Sequence, residues 1–110
     1  GVVDAVTRTA DGKLLIGGTF NRVGEAPRRS VARLLSDGTP DPAFRADVTG
    51  SIGGLLPDSS GNVFAVGSFS HINGSFRRNL AKLNPAGDVV ASWTAANSDL
   101  GSTLVGYVDG

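Results

Sequence analysis

His71, in the stretch SHINGS, is the only histidine of the chain, and a histidine is the natural first candidate for a general base or a metal ligand. It stands alone. There is no cysteine, no second histidine, and no Asp or Glu within ten residues on either side in sequence, so neither a metal set nor a base with an orienting carboxylate can be assembled locally. A solvated loop histidine is the plainer reading. The stretch SDGTPDPAFRAD offers Asp37, Asp41 and Asp47, which resemble an acidic calcium loop until their spacing is compared with the EF-hand pattern, which it misses. Two basic pairs, Arg28-Arg29 and Arg77-Arg78, have the forked donors that hold a phosphate or carboxylate; as plain structure, their stems cover apolar surface and their heads pair with acids. Asn73-Gly74-Ser75 matches the N-glycosylation acceptor triplet. Neither a G-x-S-x-G nucleophile motif nor a phosphate loop with its lysine is present, so the sequence supports no catalytic residue, no metal and no cofactor.

The elements that position these residues are written twice. DGKLLIGGTF at 11–20 returns as SGNVFAVGSF at 60–69, and sliding the chain by 49 positions needs no gap. Gly12 then meets Gly61, Gly18 meets Gly67, and Phe20 meets Phe69. Arg28 and Arg29 meet Arg77 and Arg78, Ala32 meets Ala81, Leu34 meets Leu83, and Gly38 meets Gly87, while Phe44 meets Trp93 as a conservative pair. With Gly1 and Gly50, and Ala46 and Ala95, the identities fall on turn glycines and apolar positions, where a shared backbone constrains residue type. The repeat also weakens two candidate sites. Asp37, Asp41 and Asp47 correspond to Ala86, Val90 and Ala96, so no repeated metal site exists; Trp93 corresponds to Phe44, which favours a core aromatic over a sugar platform.

Each unit divides into four short stretches: VVDAVTRT, KLLIGGTF, RSVARLL and PDPAFRAD in the first copy. Asp11-Gly12 and Asp37-Gly38 read as hairpin turns, with type I′ geometry expected for Asp-Gly. A helix through RRSVARLL is allowed by propensity, but Ser30, Ala32 and Leu34 alternate with Arg29, Val31 and Arg33, a period of two. Four strands repeated every 40 to 50 residues predict an all-β fold of β-propeller blades. The expected organisation is a four-stranded antiparallel unit at 1–49, a second at 50–98, and the first strand of a third at 99–110. Gly18 and Gly67 are expected to let backbones pass closely, with Phe20 and Phe69 filling the gap between blades.

DGKLLIGGTF followed by RRSVARLLSDGTPDPAF resembles the delta-60 repeat, a propeller-type unit of large bacterial exported and surface proteins. The resemblance covers essentially the whole chain, and its second copy drifts mainly in turn residues. Kelch repeats are the nearest alternative, but they expect a Tyr and Trp pair downstream where only Trp93 is found. The resemblance implies a scaffold, usually extracellular, with no shared catalytic residues.

Ten basic residues balance ten acidic ones, so no global field gathers nucleic acid, and no apolar run is long enough for a membrane-spanning helix. The function expected is a non-enzymatic scaffold whose partners are neighbouring blades, in the same parent chain or in identical copies, with a protein or glycan as ligand. An enzyme with catalytic residues in other blades, and a self-closing ring subunit, are the alternatives. The absent initial methionine and the spare third-repeat strand favour a piece of a longer array over a ring.

Overall fold

The computed structural model describes residues 1–9, 12–58 and 60–93, and within them every regular element is a β-strand. β1 (Val2–Arg8) and β2 (Leu14–Thr19) pair antiparallel; β3 (Arg22–Val23) and β4 (Ala26–Pro27) form a small ribbon; β5 (Val31–Leu34) returns to pair with β2, giving the order β1-β2-β5. The second unit repeats this with β6 (Val48–Pro57), β7 (Val63–Ile72) and β9 (Leu80–Leu83), while β8 (Ser75–Phe76) pairs with the far end of β7. The registers superimpose: Leu14 faces Leu34 as Val63 faces Leu83, and Gly17 faces Val31 as Val66 faces Leu80. RSVARLL therefore supplies a strand, and the alternation of its side chains outweighs its helical propensity.

Three features differ from the sequence reading. The fourth stretch of each unit is reduced to a single bridge, Leu34 to Pro40 and Leu83 to Val89; the first sheet has three strands, and the second has four because the short β8 joins it through β7. In the first unit Pro40 and Pro42 cannot donate to a ladder, and the Ala43 N–H is taken by the Asp41 carboxylate at 2.9 Å. The glycine turns are not type I′. At Gly38 (φ 86°) the chain closes with Gly38 N–H to Leu35 O at 2.9 Å and Leu35 N–H to Thr39 O at 2.8 Å, while Asp37 stays out of the left-handed region. This is a three-residue hairpin loop with a left-handed glycine, and the same bond pattern recurs at 9–13, 58–62 and 84–88. Asn73-Gly74 is the two-residue turn in which both residues have positive φ, 54° and 81°, joining β7 to β8 as Ile72 faces Ser75. The glycosylation triplet is thus a type I′ hairpin turn. Its side-chain amide is already engaged, with Nδ2 donating to Gly87 O at 3.1 Å and Oδ1 accepting from Asp47 N at 2.8 Å.

The unit boundary read at 49/50 falls inside β6, which starts at Val48. The extra strand expected at 99–110, and the end of the second unit, lie outside the described residues.

The two sheets stack face to face. Leu15, Val31 and Phe44 of the first unit share one core with Val63, Ala65 and Leu83 of the second. Their 49-residue counterparts Phe64, Leu80 and Trp93 belong to a second apolar cluster on the other side of the second sheet. Each sheet therefore has a front face and a back face, set by the period-two alternation of its strands. Close approach at the seam depends on Gly17. A Cβ there would lie 2.5 Å from Ile52 Cγ2 and 3.3 Å from Leu55 Cδ1, both on the facing strand β6. Gly17→Val is expected to destabilise the fold by about 1–3 kcal/mol through overpacking, read as a lower midpoint in urea denaturation. An unchanged midpoint would mean that the seam has room the structure does not show.

Candidate functional site: an arginine cleft at the seam

Between β4 and β5 the chain passes through Arg28, Arg29 and Ser30. Ser30 sits in the left-handed region at φ 68°, and its counterpart Asn79 does the same at φ 67°. The unusual conformation of Ser30 is anchored on both sides: its N–H donates to Phe20 O at 2.9 Å and its hydroxyl to Gly50 O at 2.6 Å. Opposite it runs the segment that leads into β6. Arg29 and Asp47 form a parallel bridge, with Val48 N–H donating to Arg29 O at 3.3 Å and Arg29 Nε 3.3 Å from the Asp47 carboxylate. The β7–β8 turn closes the third side, since Asn73 N–H donates to Asp47 O at 2.8 Å. Arg45 is fixed through its backbone, its N–H donating to Ala86 O at 3.0 Å.

These segments enclose an open cleft of about 380 Å³ whose polar lining comes from Asn21, Arg28, Arg29, Arg45, Asp47 and Asn73. Three guanidinium groups thus face one carboxylate. Arg28 is the buried member, 6% exposed. Its Nη1 donates to Pro27 O at 2.7 Å, whereas its Nε is fully enclosed and has no hydrogen-bond partner. Burial, and then the neighbouring Arg45 charge, hold the Arg28 pKa below its ordinary value, with Asp41 acting in the opposite direction. The arrangement is suited to holding an anion.

The first unit also carries a buried ion network. The buried Asp41 carboxylate accepts from Arg33 Nε at 2.9 Å and Lys13 Nζ at 3.0 Å, and Arg33 Nη1 crosses the seam to Pro85 O at 2.7 Å. The Arg33 guanidinium also lies over the Phe44 ring, 5.3 Å from its centre. The Ala43 N–H first, and then Lys13 and Arg33, overcome the cost of burial and lower the Asp41 pKa to about 2.

The structure disperses the remaining candidates. Arg77 lies on the second unit, away from the cleft, and repeats the Arg28 conformation: Nη1 donates to Phe76 O at 2.8 Å, and Nε is buried without a partner. Arg78 is exposed. Gly12, Gly38, Gly61 and Gly87 occupy the hairpin loops. Gly18 and Gly67 face β-bulges in β1 and β6 within their own sheets. Phe44 and Phe69 are buried in the shared core, and Phe20 is half-buried. Trp93 packs edge-on against Phe64 with ring centres 5.2 Å apart. His71 Nδ1 is 2.8 Å from the Ser70 hydroxyl, and its ring meets Phe76 edge-on. Asp37 serves its own turn by accepting from the Thr39 hydroxyl and N–H, which lower its pKa. Among the described residues no group of three His, Cys, Asp or Glu side chains is placed to hold a metal ion.

Sequence reasoning missed Arg45 and Asn73 as members of the cleft. The Asn-Gly dipeptide was the available signal for the hairpin that carries Asn73; nothing local marks Arg45. No curated protein and no solved structure matches the chain. The family described as "Domain of unknown function (DUF5122) beta-propeller" matches residues 9–44 and 59–95, the spans that hold the second and third strands of both stacked sheets, and the chain belongs to that family.

Proposed function

We propose that this chain acts as a non-enzymatic scaffold, a segment of delta-60-type propeller repeats in an exported or cell-surface protein that binds a protein or glycan ligand. The observation that carries this reading is the back face of the first unit. Val3 and Val6 are 51% and 63% exposed, whereas their counterparts Ile52 and Leu55, covered by the first unit, are 0% and 7% exposed. Leu14, Ile16 and Leu34, on the same face, are half-buried where Val63, Ala65 and Leu83 are buried. An apolar surface of this kind on a stackable sheet is an interaction surface. The repeat supplies its complement: a blade front like Leu15, Val31 and Phe44, from the parent chain or an identical copy.

Light scattering during size-exclusion chromatography over a concentration series tests the reading. The chain is expected to self-associate with rising concentration, and Val6→Lys to shift it to the monomer with unchanged far-ultraviolet circular dichroism. A wild-type chain that stays monomeric throughout would count against a blade-stacking role for this face.

A further inference from the structure

We propose that Asn73-Gly74 is a site of spontaneous deamidation, opened to reaction only when its turn unclasps, and that the change releases the seam for good. Asn73 is the one asparagine of the chain followed by glycine, the residue that leaves the next amide nitrogen least hindered for attack on the side chain. Both residues are exposed, and no atom lies within 4 Å of where a Gly74 Cβ would stand. Among the described residues the Gly74 N–H has no hydrogen-bond partner, so it is open to solvent base.

Water is the only co-reactant. Gly74 N, its proton lost to hydroxide, bonds to Asn73 Cγ; the Cγ–Nδ2 bond breaks, and Nδ2 leaves as ammonia with a proton taken from water. Water then opens the succinimide, giving aspartate by attack at Cγ or isoaspartate by attack at the backbone carbonyl carbon of residue 73.

The folded turn withholds this reaction. Oδ1 accepts from Asp47 N–H at 2.8 Å and Nδ2 donates to Gly87 O at 3.1 Å, so the carboxamide is pinned at both ends. Ring closure also needs Cβ and the Gly74 nitrogen eclipsed about the Cα–C bond. In a type I′ turn the ψ of the first central residue is about +30°, which sets the two nearly opposite one another. Reaction therefore waits for a local opening that breaks both bonds and the turn.

The same contacts define what the change undoes. Asn73 joins the segment at Asp47, to which its own N–H also donates, to the hairpin at 84–88, whose Ala86 O takes the Arg45 N–H. A carboxylate cannot donate to Gly87 O. Isoaspartate also lengthens the main chain by one methylene inside a two-residue turn whose flanks, Ile72 and Ser75, are in register. The arginines that line the cleft offset part of the loss in the aspartate product, but they do not shorten the isoaspartate backbone.

The test incubates the full chain in mildly alkaline buffer, folded and in concentrated urea, and follows each asparagine by peptide mapping and mass spectrometry. Unfolded chains are expected to convert at Asn73 ahead of every other asparagine. Folded chains are expected to convert there at least about tenfold more slowly, with a rate that climbs as urea approaches the unfolding midpoint. The isoaspartate form, separated by chromatography, is expected to melt about 4–8 °C below the unmodified chain, and Asn73→Asp to lose less. Folded conversion as fast as unfolded, no preference for Asn73, or an isoaspartate form as stable as the unmodified chain would each overturn the proposal.

Discussion

Gly67→Val is expected to abolish the folded second sheet, leaving no cooperative thermal transition. The cause is local and steric. β6 carries a bulge between Ile52 and Gly54, and the bulged backbone presses onto β7 where Gly67 faces Ile52. A Cβ at position 67 would overlap the Ser51 carbonyl oxygen and lie 2.9 Å from both Gly53 N and Ile52 Cα. These are backbone atoms of a paired strand, so relief requires breaking the ladder, and the loss is of the order of the whole folding free energy, about 5–15 kcal/mol. Gly38→Ala provides the contrast. Its φ is also unfavourable for a side chain, but no atom lies within 4 Å of the added Cβ, and the expected cost is only about 1 kcal/mol. A Gly67→Val protein with a Tm near that of Gly38→Ala would show that the bulge is free to flatten.

Asp41→Ala is expected to be the most damaging change among the charged residues, costing about 3–5 kcal/mol, because it leaves the buried Arg33 guanidinium without its carboxylate. The same group sets an acid limb. Its folded pKa of about 2 lies below the ordinary unfolded value, so between about pH 4 and pH 2 the unfolded chain binds more protons than the folded one. The stability contributed by Asp41 is thus present above about pH 4 and is lost as the pH falls through the folded pKa. Burial pushes Asp58 up, but the N–H groups of Ser60 and Asn62, with Lys82, hold it below its ordinary value, so it titrates in the same direction, as does Asp37. Urea denaturation at pH 7 and across this window should therefore show a steep acid loss in the wild type and a shallower one in Asp41→Asn. Parallel slopes would remove Asp41 as the source.

What could be read from the sequence was what the two units share. Turn glycines, the second strand and the third-strand alternation recur at a fixed spacing, because every blade needs the same turns and the same two faces. What escaped was what belongs to one seam alone. Gly17 is answered by Val66, Asp41 by Val90, Asn73 by Gly24 and Arg45 by Thr94, so comparison between copies treats each as drift. Yet Gly17 packs on Ile52 of the facing sheet, the Arg45 N–H bonds Ala86 O of the second unit, Asn73 holds the segment that leads into β6, and Asp41 fixes the Arg33 side chain that reaches Pro85. Asp41 shows the cost most plainly. Lack of a counterpart gave no sign that this aspartate is the anchor of a buried ion network. Arg28 was found through repetition, but its burial and its unpartnered Nε were not, because hydrogen-bond satisfaction is a property of the fold around a residue.

The front and back faces have a genetic consequence. Because they recur at an unbroken 49-residue translation, an in-frame duplication or loss of one whole period joins a front to a back as before and creates no new kind of junction. A slip of any other length exchanges inward for outward residues or severs a hairpin. Whole-period changes are thus the ones the fold accommodates, while the unrepeated residues at each seam are free to differ from one junction to the next.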